Sequence, residues 1–342
     1  MSGQSRIKYL DVLRLLATFF VVTLHVSCIF LRENTSGYYI AVSYDTLSRW
    51  CVPIFVMISG ALFIHPSKQI SFKEIYTKYI IRLFTVFVVW YLLYRYVFDP
   101  IYPIIHSVNH RLPISYEISS SWEPKYHLWF LLMMIGLYML IPIFREIGHN
   151  KKICAYFLIL WFCYITCDML FQQNILRLNI LSYLFYDLQI HMVLGYSGYF
   201  LLGYYLSQIT IGKELYKISW FVFILLLIVT CAVTIYLKNY NFFEYLMPNI
   251  ILISASLFII IRYVVEKGRL IKLTYIAEKA QKNLFGIYLL HAFIISIIPP
   301  MLKPRGWETI FFVPLVSIVV FAISYLSINL LRKIPYVRYI LS

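Results

Sequence analysis

Apolar runs of about twenty residues recur from one end of this chain to the other, and that is the length a helix needs to cross a bilayer. Inside lipid the backbone must satisfy its own hydrogen bonds, so such runs fold as helices. Ten are read here: 9–30, 47–65, 79–98, 128–144, 153–171, 192–209, 218–237, 246–265, 285–301 and 309–331. The segment 173–191 is the least defined gap, because LNILSYLFY is short enough to be re-entrant or interfacial. Of 342 residues 61% are hydrophobic and 13% charged, a balance that excludes an ordinary soluble domain. The expected fold class is all-α: a polytopic membrane protein of about ten transmembrane helices, one domain over 1–342, in the lipid bilayer of the cell membrane.

The remaining charges set an orientation. Segments on the side of the N-terminus hold twenty Lys and Arg, the opposite loops hold seven, and Arg14, Arg49 and Arg95 lie inside runs. By the positive-inside rule both termini are cytoplasmic, which requires an even number of spans. The same distribution accounts for the net charge of +15 without a nucleic-acid partner. The one long outer loop, 99–127, is polar and aromatic, and no linker or internal repeat divides the chain. All six cysteines fall within or at the ends of apolar runs and none forms a CxxC pair, so neither a disulfide framework nor a zinc knuckle is expected. The first run is too long and too charged for a cleaved signal peptide.

That first run, Leu10 to Phe30, carries Asp11, Arg14 and His25. Charged residues in a spanning helix are costly, face the protein interior and mark working sites. Arg14 and His25 are eleven positions apart, about 16 Å along a helix and close to three turns, so they point roughly the same way. A cation near one face and an imidazole deep in the wall suit a channel for a long, anionic, reactive molecule. His25 reads either as a general base or as a packing histidine bonded to a neighbouring hydroxyl.

Four further stretches add candidates. His127 opens the fourth run in YHLWFLL, at a membrane depth similar to that of His25, where both could line one cavity. The second run begins SRWCVPIFVMISGALF, with Arg49 three residues inside its outer end and Ser59 and Gly60 near its inner end. A snorkelling arginine and small packing residues explain that stretch as well as a site does. Lys78 and Arg82, one turn apart in KEIYTKYIIRLF, suit phosphate oxygens, although topology calls for basic residues there in any case. His291 in NLFGIYLLHAF falls near mid-membrane three residues after Tyr288, as a working pair or a packing pair.

Taken in order, YLDVLRLLATFFVVTLH with its Arg14-x10-His25 spacing, RWCVPIFVMISG, the basic stretch after the second run, YHLWFL and FGIYLLH resemble acyltransferase family three, the bacterial integral-membrane sugar O-acyltransferases. Within that family the chain is most similar to enzymes that O-acetylate surface-polysaccharide units such as enterobacterial common antigen. The resemblance covers nearly the whole chain. It implies an acyl-coenzyme A donor from the cytoplasm, acetyl-coenzyme A by default, a sugar or polysaccharide hydroxyl as acceptor at the outer face, and no metal. Under it, Arg14, Lys78 and Arg82 hold the nucleotide phosphates, and Ser59, Tyr288 and His291 lie along the donor. His25 is then the general base or an acyl carrier, and His127, Arg49 or Tyr288 stabilises the oxyanion.

A transporter reading competes. A lipid or sugar flippase or a proton-coupled exporter would use intramembrane His and Arg as a proton relay, although no two-fold internal repeat is visible. Binding of acyl-coenzyme A at the cytoplasmic face separates the two.

Overall fold

The computed structural model describes residues 7–31, 36–101, 125–172, 187, 195–238, 240–298, 306–335 and 338. Among them every regular element is a helix, so the fold is all-α. Seven helical stretches are long and apolar enough to cross a membrane: Lys8–Cys28, Gly37–Phe63, Phe72–Ile101, Lys151–Gln172, Lys213–Leu237, Asn241–Glu266 and Thr309–Leu331. The broken pair Trp129–Met139 and Ile141–His149 makes an eighth if counted as one span. Each of these coincides with an expected run. The run 192–209 corresponds to a helix of only 12 residues, Ser197–Gln208. The run 285–301 begins in the second half of Ile271–Ser296, whose first half carries Lys272, Glu278, Lys279 and Lys282. The uncertain segment 173–191, Asp187 apart, and residues 102–124 of the outer loop lie outside the described residues.

We number the helices α1 (Lys8–Cys28), α2 (Ser36–Ser48), α3 (Cys51–Phe63), α4 (Phe72–Ile101), α5 (Trp129–Met139), α6 (Ile141–His149), α7 (Lys151–Gln172), α8 (Ser197–Gln208), α9 (Lys213–Leu237), α10 (Pro248–Glu266), α11 (Ile271–Ser296) and α12 (Thr309–Leu331). Local chemistry sets their ends. Ser71 and Glu74 form a capping box, the Ser71 oxygen accepting from the Glu74 amide at 3.2 Å and the Glu74 carboxylate from the Ser71 amide at 3.1 Å. Helix α4 therefore starts at Phe72, ahead of the expected residue 79. The second expected run also starts early, at Ser36, and breaks at Arg49–Trp50 before α3. Pro53 has no amide to give to the Arg49 carbonyl and its ring crowds that group, so the chain turns there. Arg49 sits at this two-residue turn, within the spanning stretch Gly37–Phe63.

Packing divides the chain into two compact units. The first comprises 1–20, 46–69 and 140–281, and the second 21–45, 70–139 and 282–342; α1, α2 and α11 each contribute to both. In the first unit α3 and α8 meet backbone to backbone. A Cβ at Gly60 would lie 1.7 Å from the Phe200 carbonyl oxygen, and one at Gly203 2.0 Å from that of Met57, so only glycine fits. Arg145 donates to the carbonyls of Phe63 (3.1 Å) and Lys68, and Arg262 to those of Leu206 and Ile209 (3.0 Å). Two of the basic residues that carry the topology signal thus also close the C-terminal ends of α3 and α8. Asn249 of α10 donates to Thr230 of α9 at 2.8 Å, a polar tie between apolar helices.

The second unit is assembled from α4, α5, α12, most of α2 and the C-terminal parts of α1 and α11. Helix α4 contains two π-helical stretches, Ile75–Ile80 and Tyr94–Phe98. Such stretches interrupt the 3.6-residue period and recur at functional positions. Gly286 gives α11 its approach to α12, where a Cβ would come 2.7 Å from the Ile328 side chain.

Candidate active site

Three histidines from three separate segments of the second unit meet in one place. His25 comes from the C-terminal part of α1, His127 from the turn Lys125–Leu128 that leads into α5, and His291 from α11. The rings of His25 and His291 stack, with centroids 5.1 Å apart and planes inclined by 21°. The His127 ring meets His291 edge-on at 5.3 Å and 69°. His127 and His291 are buried at 2% and 0% exposure, whereas His25 is half-buried, so the trio runs from a closed interior to an accessible ring.

Tyrosines frame the trio. Tyr94, Tyr126 and Tyr288 lie edge-on to His127 at 5.1, 5.5 and 5.7 Å, and Tyr126 also meets His25 at 4.8 Å. The Tyr288 hydroxyl donates to the backbone carbonyl of His127, which pins the turn to α11. A tyrosine has one hydroxyl hydrogen, and here it goes to that carbonyl, so Tyr288 supports the turn. The Tyr94 hydroxyl, presented by the second π stretch of α4, donates to the Leu289 carbonyl at 2.7 Å and accepts from the Phe293 amide at 3.2 Å. Lys125, two residues before His127, pairs with Asp99 at the end of α4 at 2.7 Å. Both charges are partly exposed, so this pair contributes no more than about 1 kcal/mol.

The polar bookkeeping of the trio is incomplete. Nδ1 of His291 lies 3.3 Å from the Ile287 carbonyl, which can only accept, so Nδ1 carries the proton and Nε2 the lone pair. That Nε2 has no partner, and neither has either ring nitrogen of His127. The Leu289 carbonyl beside His127 accepts from Tyr94 and keeps a second lone pair toward the His127 ring. Each buried nitrogen left without a hydrogen bond costs about 1–3 kcal/mol, and native proteins retain such groups where a ligand or water completes them. Among the described residues no group of three or more His, Cys, Asp or Glu is arranged to hold a metal ion. The ring contacts explain why for these histidines: they meet by faces and edges, not with converging lone pairs.

Each of the other expected site residues has surroundings of its own. Arg49 belongs to the first unit, its guanidinium 4.1 Å from the centre of the Phe243 ring and 5.4 Å from that of Tyr245. Ser59, also there, donates its hydroxyl to the Phe55 carbonyl at 3.0 Å, a bond within its own helix. Arg14 is half-buried in the part of α1 that belongs to the first unit, with its carbonyl accepting from Thr18 at 2.8 Å. Lys78 is exposed within the first π stretch of α4 and Arg82 is half-buried just beyond it. A spacing of four across a π stretch no longer equals one α turn, and the two differ in burial accordingly. Tyr94 was not legible as a site residue: nothing in its sequence neighbourhood separates it from the many interface tyrosines.

The family model described as an acyltransferase domain, Acyl_transf_3, matches residues 7–328. The chain belongs to this acyltransferase family. No curated protein and no solved structure matches it. His25, His127 and His291 of the acyltransferase fall inside the matched residues, as do Arg14, Arg49, Lys78 and Arg82.

Proposed function

We propose that this membrane acyltransferase is an O-acetyltransferase that moves an acetyl group from cytoplasmic acetyl-coenzyme A to a hydroxyl of a cell-surface polysaccharide or lipid-linked sugar, with His25 as general base. The observation that carries the reading is the histidine trio, in which a half-buried imidazole stacks on a buried one beside a third whose nitrogens lack partners. His25 takes the proton of the acceptor hydroxyl as its oxygen attacks the thioester carbonyl carbon. The carbon–sulfur bond of the tetrahedral intermediate then breaks. The departing thiolate recovers the proton from the imidazolium, which gives the acetyl ester, free coenzyme A and neutral His25. A neutral His127 carries one N–H, and that hydrogen is the donor for the oxyanion. Arg14, Lys78 and Arg82 are the residues proposed for the nucleotide phosphates.

The orientation rests on the charge distribution: twenty basic residues on the side of the termini against seven opposite support an even number of spans with both ends in the cytoplasm. The acceptor class rests on the resemblance to enzymes that O-acetylate surface-polysaccharide units such as enterobacterial common antigen. Inverted membrane vesicles given radiolabelled acetyl-coenzyme A provide the test. Label should enter a glycan or glycolipid fraction with wild-type protein and disappear with His25→Ala at equal protein level. Equal labelling by the variant would remove His25 from the mechanism, and wild-type vesicles without label would overturn the donor.

A further inference from the structure

We propose that His291 is a positioning residue for the reaction, a fixed aromatic platform whose face steadies the imidazolium that His25 becomes when it takes the acceptor's proton. The inference rests on the reading of His25 as the base and assigns to His291 a role different from lying along the donor.

Three observations carry it. The two rings are close to parallel, 21° apart with centroids at 5.1 Å, so His25 and its neighbour form an offset stack, face beside face. The platform cannot turn freely: Nδ1 of His291 is held toward the Ile287 carbonyl one helical turn back at 3.3 Å, and the ring is met by His127 at 5.3 Å and Tyr288 at 5.9 Å. Finally, His291 is at 0% exposure while His25 is half-buried, so the platform lies on the closed side of the working ring. A face contact uses the π surface of His25 and not the ring edge that carries its nitrogens. A cation over an aromatic face is attracted most where water is excluded.

The charge exists on His25 only once proton transfer has begun. The platform therefore stabilises the transition state more than the bound substrates, and its loss belongs in kcat rather than in KM. Its benefit also comes from the ring, not from the nitrogens, which separates it from a residue that contacts a substrate by hydrogen bonds.

The test compares His291→Leu, His291→Gln and His291→Phe with wild type and His25→Ala in inverted vesicles, normalised to protein level. Initial rates of acetyl transfer are measured over a series of radiolabelled acetyl-coenzyme A concentrations. Leu and Gln remove the ring, and Gln keeps a donor for the Ile287 carbonyl; both should lose about tenfold in kcat at unchanged KM. Phe keeps the platform and should stay within about threefold of wild type. Equal loss by all three, wild-type rates for Leu and Gln, or a loss confined to KM would each overturn the proposal. If His25→Ala is inactive while the Leu and Gln variants are fully active, the platform alone fails; if His25→Ala is active, the base and the platform fail together.

Discussion

The hydroxyl of Tyr94 stands between the carbonyl of Leu289 and the amide of Phe293, the two groups that an uninterrupted α-helix pairs with each other. One side chain from α4 is thus inserted into the hydrogen-bond ladder of α11 on the turn that carries His291. The π stretch Tyr94–Phe98 shifts the phase of α4 where this residue must face α11. Tyr94→Phe keeps the ring edge against His127 and removes the bridge. We expect a loss of about 1–3 kcal/mol, since buried partners lose their bonds. The thermal midpoint of the purified protein in detergent should fall together with transfer activity, and an unchanged midpoint would show the bridge to be dispensable.

His127→Phe separates stability from function. Phenylalanine keeps a flat ring among Tyr94, Tyr126 and Tyr288 and eliminates two buried nitrogens that have no partner in the protein. The variant should be as stable as wild type or more stable by about 1 kcal/mol, because replacing an unsatisfied polar group by an apolar one removes a desolvation cost. Transfer should drop by about a hundredfold or more, the usual loss for an oxyanion donor. Turnover at the wild-type rate would take His127 out of the site.

Two glycines on apolar helices should respond oppositely to the same change. Gly203→Ala puts a methyl group 2.0 Å from the Met57 carbonyl, a backbone atom that cannot move without displacing α3 from α8. Gly136→Ala meets nothing within 4 Å. The first should lower the yield of folded protein sharply and cost more than about 3 kcal/mol, beyond ordinary overpacking. The second should be neutral or stabilising by about 0.5–1 kcal/mol through helix propensity. Fluorescence size-exclusion profiles of the two variants, side by side, decide the matter.

Arg145 tests whether the basic excess on one side is topology alone. Its guanidinium serves the Phe63 and Lys68 carbonyls where α3 ends. Arg145→Ala should cost about 1.5–3 kcal/mol, the range for hydrogen bonds from a charged donor, with topology unchanged because the other basic residues on that side remain. A melting curve checks the first part, and protease accessibility in sealed vesicles checks the second.

Much of this protein follows from its linear chain. Apolar runs longer than a bilayer is thick admit only helices, so the class, the positions of the spanning helices and the rarity of the charges within them were determined by composition along the chain. His25, His127 and His291 could be picked out because a polar residue in such a run carries a solvation cost that local structure cannot remove. Similar depth already suggested that His25 and His127 could line one cavity, but that His291 meets both of them, and the support that surrounds them, could not be read from the chain. Tyr94 and Leu289 are 195 positions apart, and no local periodicity links them. The breaks that aim these residues are departures from the α period: the π stretches of α4 and the turn at Arg49–Trp50. Sequence left Arg49 open between a snorkelling residue and a site residue, and tertiary packing put its guanidinium over the Phe243 ring. Burial of polar atoms is priced residue by residue, but which partner satisfies each of them is decided only when helices far apart in the chain pack together.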